Sequence, residues 1–226
     1  MTGDKQQLGP PPPPSEEPAR DSGLERLVFF SDAVFAIAIT LLVIDLRIAD
    51  IGAHASNEAL VDAIRAIGPR IAAYVLSFAV IGLYWLAHWR RYHYIVRADQ
   101  RLALINLLLL GFVAFIPFPT AVMGDHGDLP AAVLLYVTTL TVAGLIGPVT
   151  LLYASRAGLI ASGTPPDVVR YGVVRGLAVP IVMAVSLVLL PLAGTTGTEL
   201  SWLAILIVQP VLSWKFRPGE GIAAGL

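Results

Sequence analysis

The sequence predicts an all-α integral membrane protein with six transmembrane helices per subunit. Three observations carry that prediction. The 226 residues are 56% hydrophobic and 14% charged, with a mean hydropathy of +0.75, whereas a soluble domain averages about 45 to 50% apolar and about 25% charged. Six apolar runs come close to or exceed the roughly 20 residues that a spanning helix needs. Arginine and lysine fall in alternate loops, as the orientation of a polytopic protein requires.

Residues 1–23 are polar and proline-rich, with Pro10 to Pro14 consecutive, and predict a disordered tail without the apolar centre of a signal peptide. The six-helix domain covers 24–217, and 218–226 form a short C-terminal tail. The first span is 26–46, RLVFFSDAVFAIAITLLVIDL. A polar connection follows, with a short amphipathic helix over NEALVDAIRAI, where Leu60, Ile64 and Ile67 repeat at helical spacing. The second span is 71–89 and the third 102–123. The fourth follows the turn GDHGDLP and continues to 153, with a kink expected at Gly147 and Pro148. The fifth is 171–193, with Pro180 inside it, and the sixth 200–216.

Lys5, Arg20 and Arg26 precede the first span, and Arg90, Arg91, Arg97 and Arg101 lie between the second and third. Arg156, Arg170 and Arg175 flank the connection between the fourth and fifth, and Lys215 and Arg217 follow the sixth; the alternate loops hold only Arg47, Arg65 and Arg70. Both termini are therefore expected in the cytoplasm. Lysine occurs only at Lys5 and Lys215 against abundant arginine, alanine and glycine, a composition that hints at a GC-rich bacterial genome and so at a bacterial plasma membrane. Cysteine is absent, which excludes disulfides, thiolate metal sites and cysteine nucleophiles. No HExxH, Gly-x-Ser-x-Gly or phosphate-binding glycine loop occurs, so neither an enzyme nor a cofactor is expected. His88 and His93 are off the i, i+4 spacing of two ligands on one helix face, and no metal site is expected. Nothing in the sequence points to nucleic acid; the bilayer is the expected partner.

At about 100° per residue, Ile37, Leu41 and Ile44 form one stripe on the first helix, with Phe30 on the same line and Thr40 on its flank. Asp32 lands nearly opposite. Such a stripe suits lipid or a neighbouring helix. At a symmetry axis it would form stacked apolar rings of the kind that gate or select ions. Ser31 and Asp32, near the arginine-rich end, suit a polar cluster that pins packing. Asp45, at the other end, is free to meet water or pair with Arg47. In YWLAHWRRYHY, the tryptophans and tyrosines fit an interfacial belt and the arginines a cytoplasmic anchor. His88, at i+3 from Trp85, shares its face and matches the depth of Ser31 and Asp32, and Asn106 enters at a similar depth. That cluster is either a satisfied structural joint or a proton relay through Asp32 and His88.

Arg26-x-x-x-Phe30-Ser31-Asp32 followed by AVFAIAITLL resembles the signature of the transmembrane protein 175 family, the potassium channels of endolysosomes and their bacterial relatives. Trp85-x-x-His88 on the second span and Asn106-Leu107 leading to FIPFPT on the third are similar too. The last three spans are similar only in number and hydropathy. The signature occurs once, so the resemblance implies a homotetramer of single six-helix units, with the first helix lining a central pore. It implies further that Ile37 forms the hydrophobic constriction, that Leu41 and Ile44 add apolar layers, and that Thr40 lies near the filter. Arg26, Ser31 and Asp32 would engage Trp85, His88 and Asn106. The implied function is a leak-type, potassium-preferring cation channel, with potassium as the permeant ion and a modest preference over sodium. The alternative is a proton-coupled or proton-conducting transporter.

Overall fold

The computed structural model describes residues 21–205 together with 208 and 211, and every described element is helical apart from one isolated bridge. All but the last three residues of the 1–23 tail, most of the sixth span expected over 200–216, and the 218–226 tail lie outside the described residues. Helix α1 (Ser22–Leu41) starts inside the segment assigned to the tail, because Asp21 caps it by accepting from Gly23 N–H at 3.0 Å. A 3-10 turn, Leu42–Asp45, ends the first span. The amphipathic segment forms α2 (Asn57–Ala66), capped by the Ser56 hydroxyl on Ala59 N–H.

The second span is longer than expected, α3 running Gly68–Tyr94. Its last turns stay helical because Tyr92 is buried there against Leu24, Leu102 and Ala154. The third span is divided into α4 (Gln100–Phe115) and α5 (Pro117–His126). Pro117 has no N–H to continue the ladder, and it suits the first turn of a new helix. Helix α6 (Pro130–Arg156) contains Pro148 yet stays one helix, so the expected kink does not interrupt it. The interruption falls instead in α7 (Pro166–Ser201), at Gly194, with φ 68° and ψ −172°. That conformation is essentially confined to glycine, and it ends the fifth span where the sequence places its end, at 193.

Among the described residues, five helical runs are long and apolar enough to cross a membrane: Ser22–Asp45, Gly68–Tyr94, Gln100–His126, Pro130–Arg156 and Pro166–Ser201. The chain is an integral membrane protein. Helix α6 is the most buried of these runs and packs most extensively on α7, while α1 lies against α3 and α4. One large apolar core joins α1 and α3 to α7, including Phe35, Ile81, Val113, Tyr136, Leu140 and Met183. The antiparallel order gives the bundle two distinct ends. At one, Asp21, Arg97, Asp99 and Tyr153 meet across the starts and ends of α1, α3, α4 and α6. At the other, Arg70 pairs with Asp125 and donates to the Arg47 carbonyl. The arginine-rich loops converge on the first end.

Candidate functional site

Helix α1 has two faces of different chemistry. Leu24, Ser31, Phe35, Ala38 and Leu42 are buried, at intervals of one or two helical turns, and form the side that packs into the bundle. The other side carries Phe30, Ile37, Thr40, Leu41 and Ile44, all exposed, with Ile37 at 57%, Leu41 at 40% and Ile44 at 49%. In the 3-10 turn, side chains three apart eclipse, which brings Ile44 over Leu41. Thr40 donates its hydroxyl to the Ile37 carbonyl at 2.9 Å. The backbone hydrogen bond keeps that hydroxyl's proton away from the apolar stripe.

The buried face is joined to α3 and α4 by a directed hydrogen-bond chain. Ser31 donates its only hydroxyl proton to the Leu27 carbonyl at 2.7 Å. Its oxygen can then only accept, and Asn106 Nδ2 donates to it at 2.9 Å. The Asn106 carbonyl therefore faces His88, whose Nε2 lies 3.0 Å away. His88 must donate, so the neutral ring carries its proton on Nε2. Its Nδ1 is buried without a partner, and the ring is stacked on Tyr92 at 4.3 Å and tilted to Phe35 at 5.5 Å. Three helices are thus tied at one depth by fully buried side chains.

Asp32 takes a separate partner, accepting from Trp85 Nε1 at 2.9 Å. The structure therefore brings together Ser31, His88 and Asn106 in one chain and Asp32 with Trp85 in another, with no hydrogen bond between Asp32 and His88. Arg26 and Phe30 are exposed and take no part in either among the described residues. Asp45 is exposed, and the Arg47 side chain donates from Nε to the Ile44 carbonyl at 3.2 Å rather than to the Asp45 carboxylate.

Sequence reasoning missed a second buried chain deeper in the bundle. Thr120 donates to the Ile116 carbonyl at 2.8 Å, so Ser77 must donate to Thr120, 2.8 Å away, and Tyr136 to Ser77, 2.9 Å away. Farther along, Trp202 Nε1 donates to Ser186 Oγ at 3.0 Å. The signal was available: a hydroxyl inside an apolar span is costly unless partnered.

The geometry of α1, α3 and α4 coincides with the segment that relates the chain to known proteins. Residues 26–117 match the family described as "Endosomal/lysosomal potassium channel TMEM175". Over this segment, less than half of its length, the chain is similar to the TMEM175 family. A potassium channel of Streptomyces collinus is 43% identical over 101 residues, which is 45% of this chain and 48% of that protein. The human protein named endosomal/lysosomal proton channel TMEM175 is 26% identical over 58% of this chain and 25% of its own length. The chain thus matches about half, or less, of these relatives. A crystal structure described as a lysosomal potassium-selective channel TMEM175 homolog from Chamaesiphon minutus shares the fold over 88% of this chain and 100% of that one, with a TM-score of 0.66 and 24% identity. The likeness of fold therefore extends past the TMEM175 segment into α6 and α7.

Proposed function

We propose that the chain forms a potassium-preferring cation channel of leak type, a homotetramer whose central pore is lined by α1. The observation that carries this reading is the exposed stripe of Ile37, Leu41 and Ile44 on a helix whose opposite face is locked into its own bundle. Around a fourfold axis those side chains stack as apolar rings, with Thr40 beside the narrowest one. A dry ring of this kind makes an ion shed or distort its hydration shell, and the weakly hydrated potassium ion loses least. Ser31, Asp32, Trp85, His88 and Asn106 then serve as the joint that sets the rotation of α1. Arg26 and Phe30 of the same motif are exposed, where a neighbouring subunit or water can meet them. In a bacterial plasma membrane both termini lie in the cytoplasm, on the side of the arginine-rich end.

Replacing Ile37 by Asn tests the reading. In planar bilayers the variant is expected to conduct more than the wild type and to lose discrimination between potassium and sodium, and the detergent complex is expected to have the mass of four chains. Unchanged conductance and selectivity would remove Ile37 from the constriction.

The name of the human relative favours a second reading, proton conduction. The relay that this reading first suggests, from Asp32 to His88, is not formed: Asp32 is bonded to Trp85, and the Ser31 proton is committed to the Leu27 carbonyl. Proton conduction would have to follow the α1 surface. Currents that track the pH gradient with an impermeant cation on both sides would support it.

A further inference from the structure

Away from α1, a cavity of about 180 Å³ lies between α3, α6 and α7. At its arginine-rich end it is lined by Arg90 and Arg91 of α3 and by Tyr171 and Arg175 of α7, and deeper in by apolar side chains such as Leu83 and Val179. Among the described residues no aspartate or glutamate lines it. Among the described residues the ion pairs are Arg65 with Asp62 and Arg70 with Asp125, both elsewhere.

Among the described residues these guanidinium groups have no carboxylate partner. Arg91 lies against the α6 backbone, where a Cβ on Gly147 would come within 2.6 Å of its Nη1 and 2.8 Å of its Cζ. A larger residue at that position would displace the guanidinium from where it lies. Arg175 donates from Nη1 to the Tyr171 hydroxyl at 3.2 Å. The Nε atoms of Arg91 and Arg175 are both buried with no hydrogen-bond partner among the described residues. Arg90, Arg91 and Arg175 are half-buried, and cations that are partly desolvated without a counter-charge are costly and, facing one cavity, repel each other. A planar guanidinium is also the group best matched to the oxygens of a phosphate.

We propose that this cavity binds a phosphate ester, with the headgroup of an anionic phospholipid as its source, the phosphate pairing with Arg90, Arg91 and Arg175 and the apolar part lying along Leu83 and Val179. Basic pockets between spanning helices are suited to such headgroups. The site stands on the α3–α6–α7 cavity and is independent of whether α1 lines a pore.

Native mass spectrometry of the full chain in detergent, titrated with phosphatidylglycerol or phosphatidylcholine, tests it. Phosphatidylglycerol is expected to bind about tenfold more tightly, the scale of a single charge-assisted hydrogen bond. The double substitution R90Q/R175Q should abolish that preference, and R65Q, at the opposite end, should preserve it. Should the double variant not fold, R175Q alone is expected to weaken phosphatidylglycerol binding severalfold. Displacement of the lipid by millimolar inorganic phosphate would keep the phosphate site but assign it to a free anion. Equal binding of both lipids by the wild type, or a preference that survives substitution of the arginines, would overturn the proposal.

Discussion

Replacing Asn106 by Leu keeps the number and branching of the side-chain heavy atoms and removes the centre of the Ser31–Asn106–His88 chain. The two partners are affected unequally. Ser31 keeps its bond to the Leu27 carbonyl and loses only an accepted one. His88 loses the one hydrogen-bond partner its ring has among the described residues, its Nδ1 having none there, at a site that is 0% exposed. A buried donor left unsatisfied costs about 1–3 kcal/mol, whereas hydrogen bonds between membrane helices average about 0.6 kcal/mol with a maximum near 1.7. The membrane value governs the Ser31 contact and the desolvation value the histidine, which together give about 1.6–3.6 kcal/mol, or roughly one to two and a half orders of magnitude in the unfolding equilibrium. Reversible unfolding in mixed micelles with increasing SDS, followed by far-UV circular dichroism, measures it. The decisive comparison adds His88→Phe to Asn106→Leu. Phenylalanine fits between Phe35 and Tyr92 and carries no donor, so the double variant should be more stable than Asn106→Leu alone. Strict additivity of the two changes, within about 0.3 kcal/mol, would refute the claim that His88 donates to Asn106.

Trp85→Phe removes the donor to Asp32 while keeping an aromatic ring at the same helix face, and should cost about 1 kcal/mol; Asp32→Asn, which retains an acceptor, should cost less in the same unfolding assay. Gly194→Ala should lower stability by about 1–3 kcal/mol through backbone strain, since a Cβ there meets nothing within 4 Å; an unchanged unfolding midpoint would show that the α7 interruption does not need its positive φ. Asp99 is held below the ordinary carboxylate range, first by the Tyr153 hydroxyl and then by Leu102 N–H, which it caps. Because its folded pKa is depressed, its contribution is present above the ordinary carboxylate pKa and is lost as pH falls through the lowered value. The difference in stability between the wild type and Asp99→Leu should therefore shrink on acidification over that interval.

Legibility in the sequence followed the strength of the underlying physics. Spans are long apolar runs, and the five seen agree with those expected to within a few residues, except where local chemistry intervenes. Pro117 divides the third span, and Gly194 interrupts the helix at the end of the fifth. Pro148, the residue expected to disturb α6, does not interrupt it. A proline withdraws one hydrogen bond but leaves helical φ/ψ available, whereas a glycine at φ 68° leaves the helix altogether. The two faces of α1 were legible because helical periodicity places Asp32 and Ile37 apart whatever surrounds them. The pairing within the polar cluster was not. Depth alone brought Ser31, Asp32, His88 and Asn106 together, and it could not decide which acceptor His88 would meet.

That decision comes from proton counting across three helices. A serine inside an apolar helix gives its proton to its own backbone, and this leaves it an acceptor for the amide of Asn106, which in turn points its carbonyl at the imidazole. The Thr120–Ser77–Tyr136 chain obeys the same rule, starting from the Thr120 bond to the Ile116 carbonyl. In both, each proton's direction is fixed by a carbonyl at one end, so neither chain can pass a proton on without first breaking that end bond. These chains are therefore suited to fixing helices against one another rather than to conduction. In α1 the consequence is specific: Ser31 and Asp32 are bonded into the bundle through Asn106 and Trp85, while Ile37, Leu41 and Ile44 stay on the exposed face, the face that the proposed channel turns toward the ion.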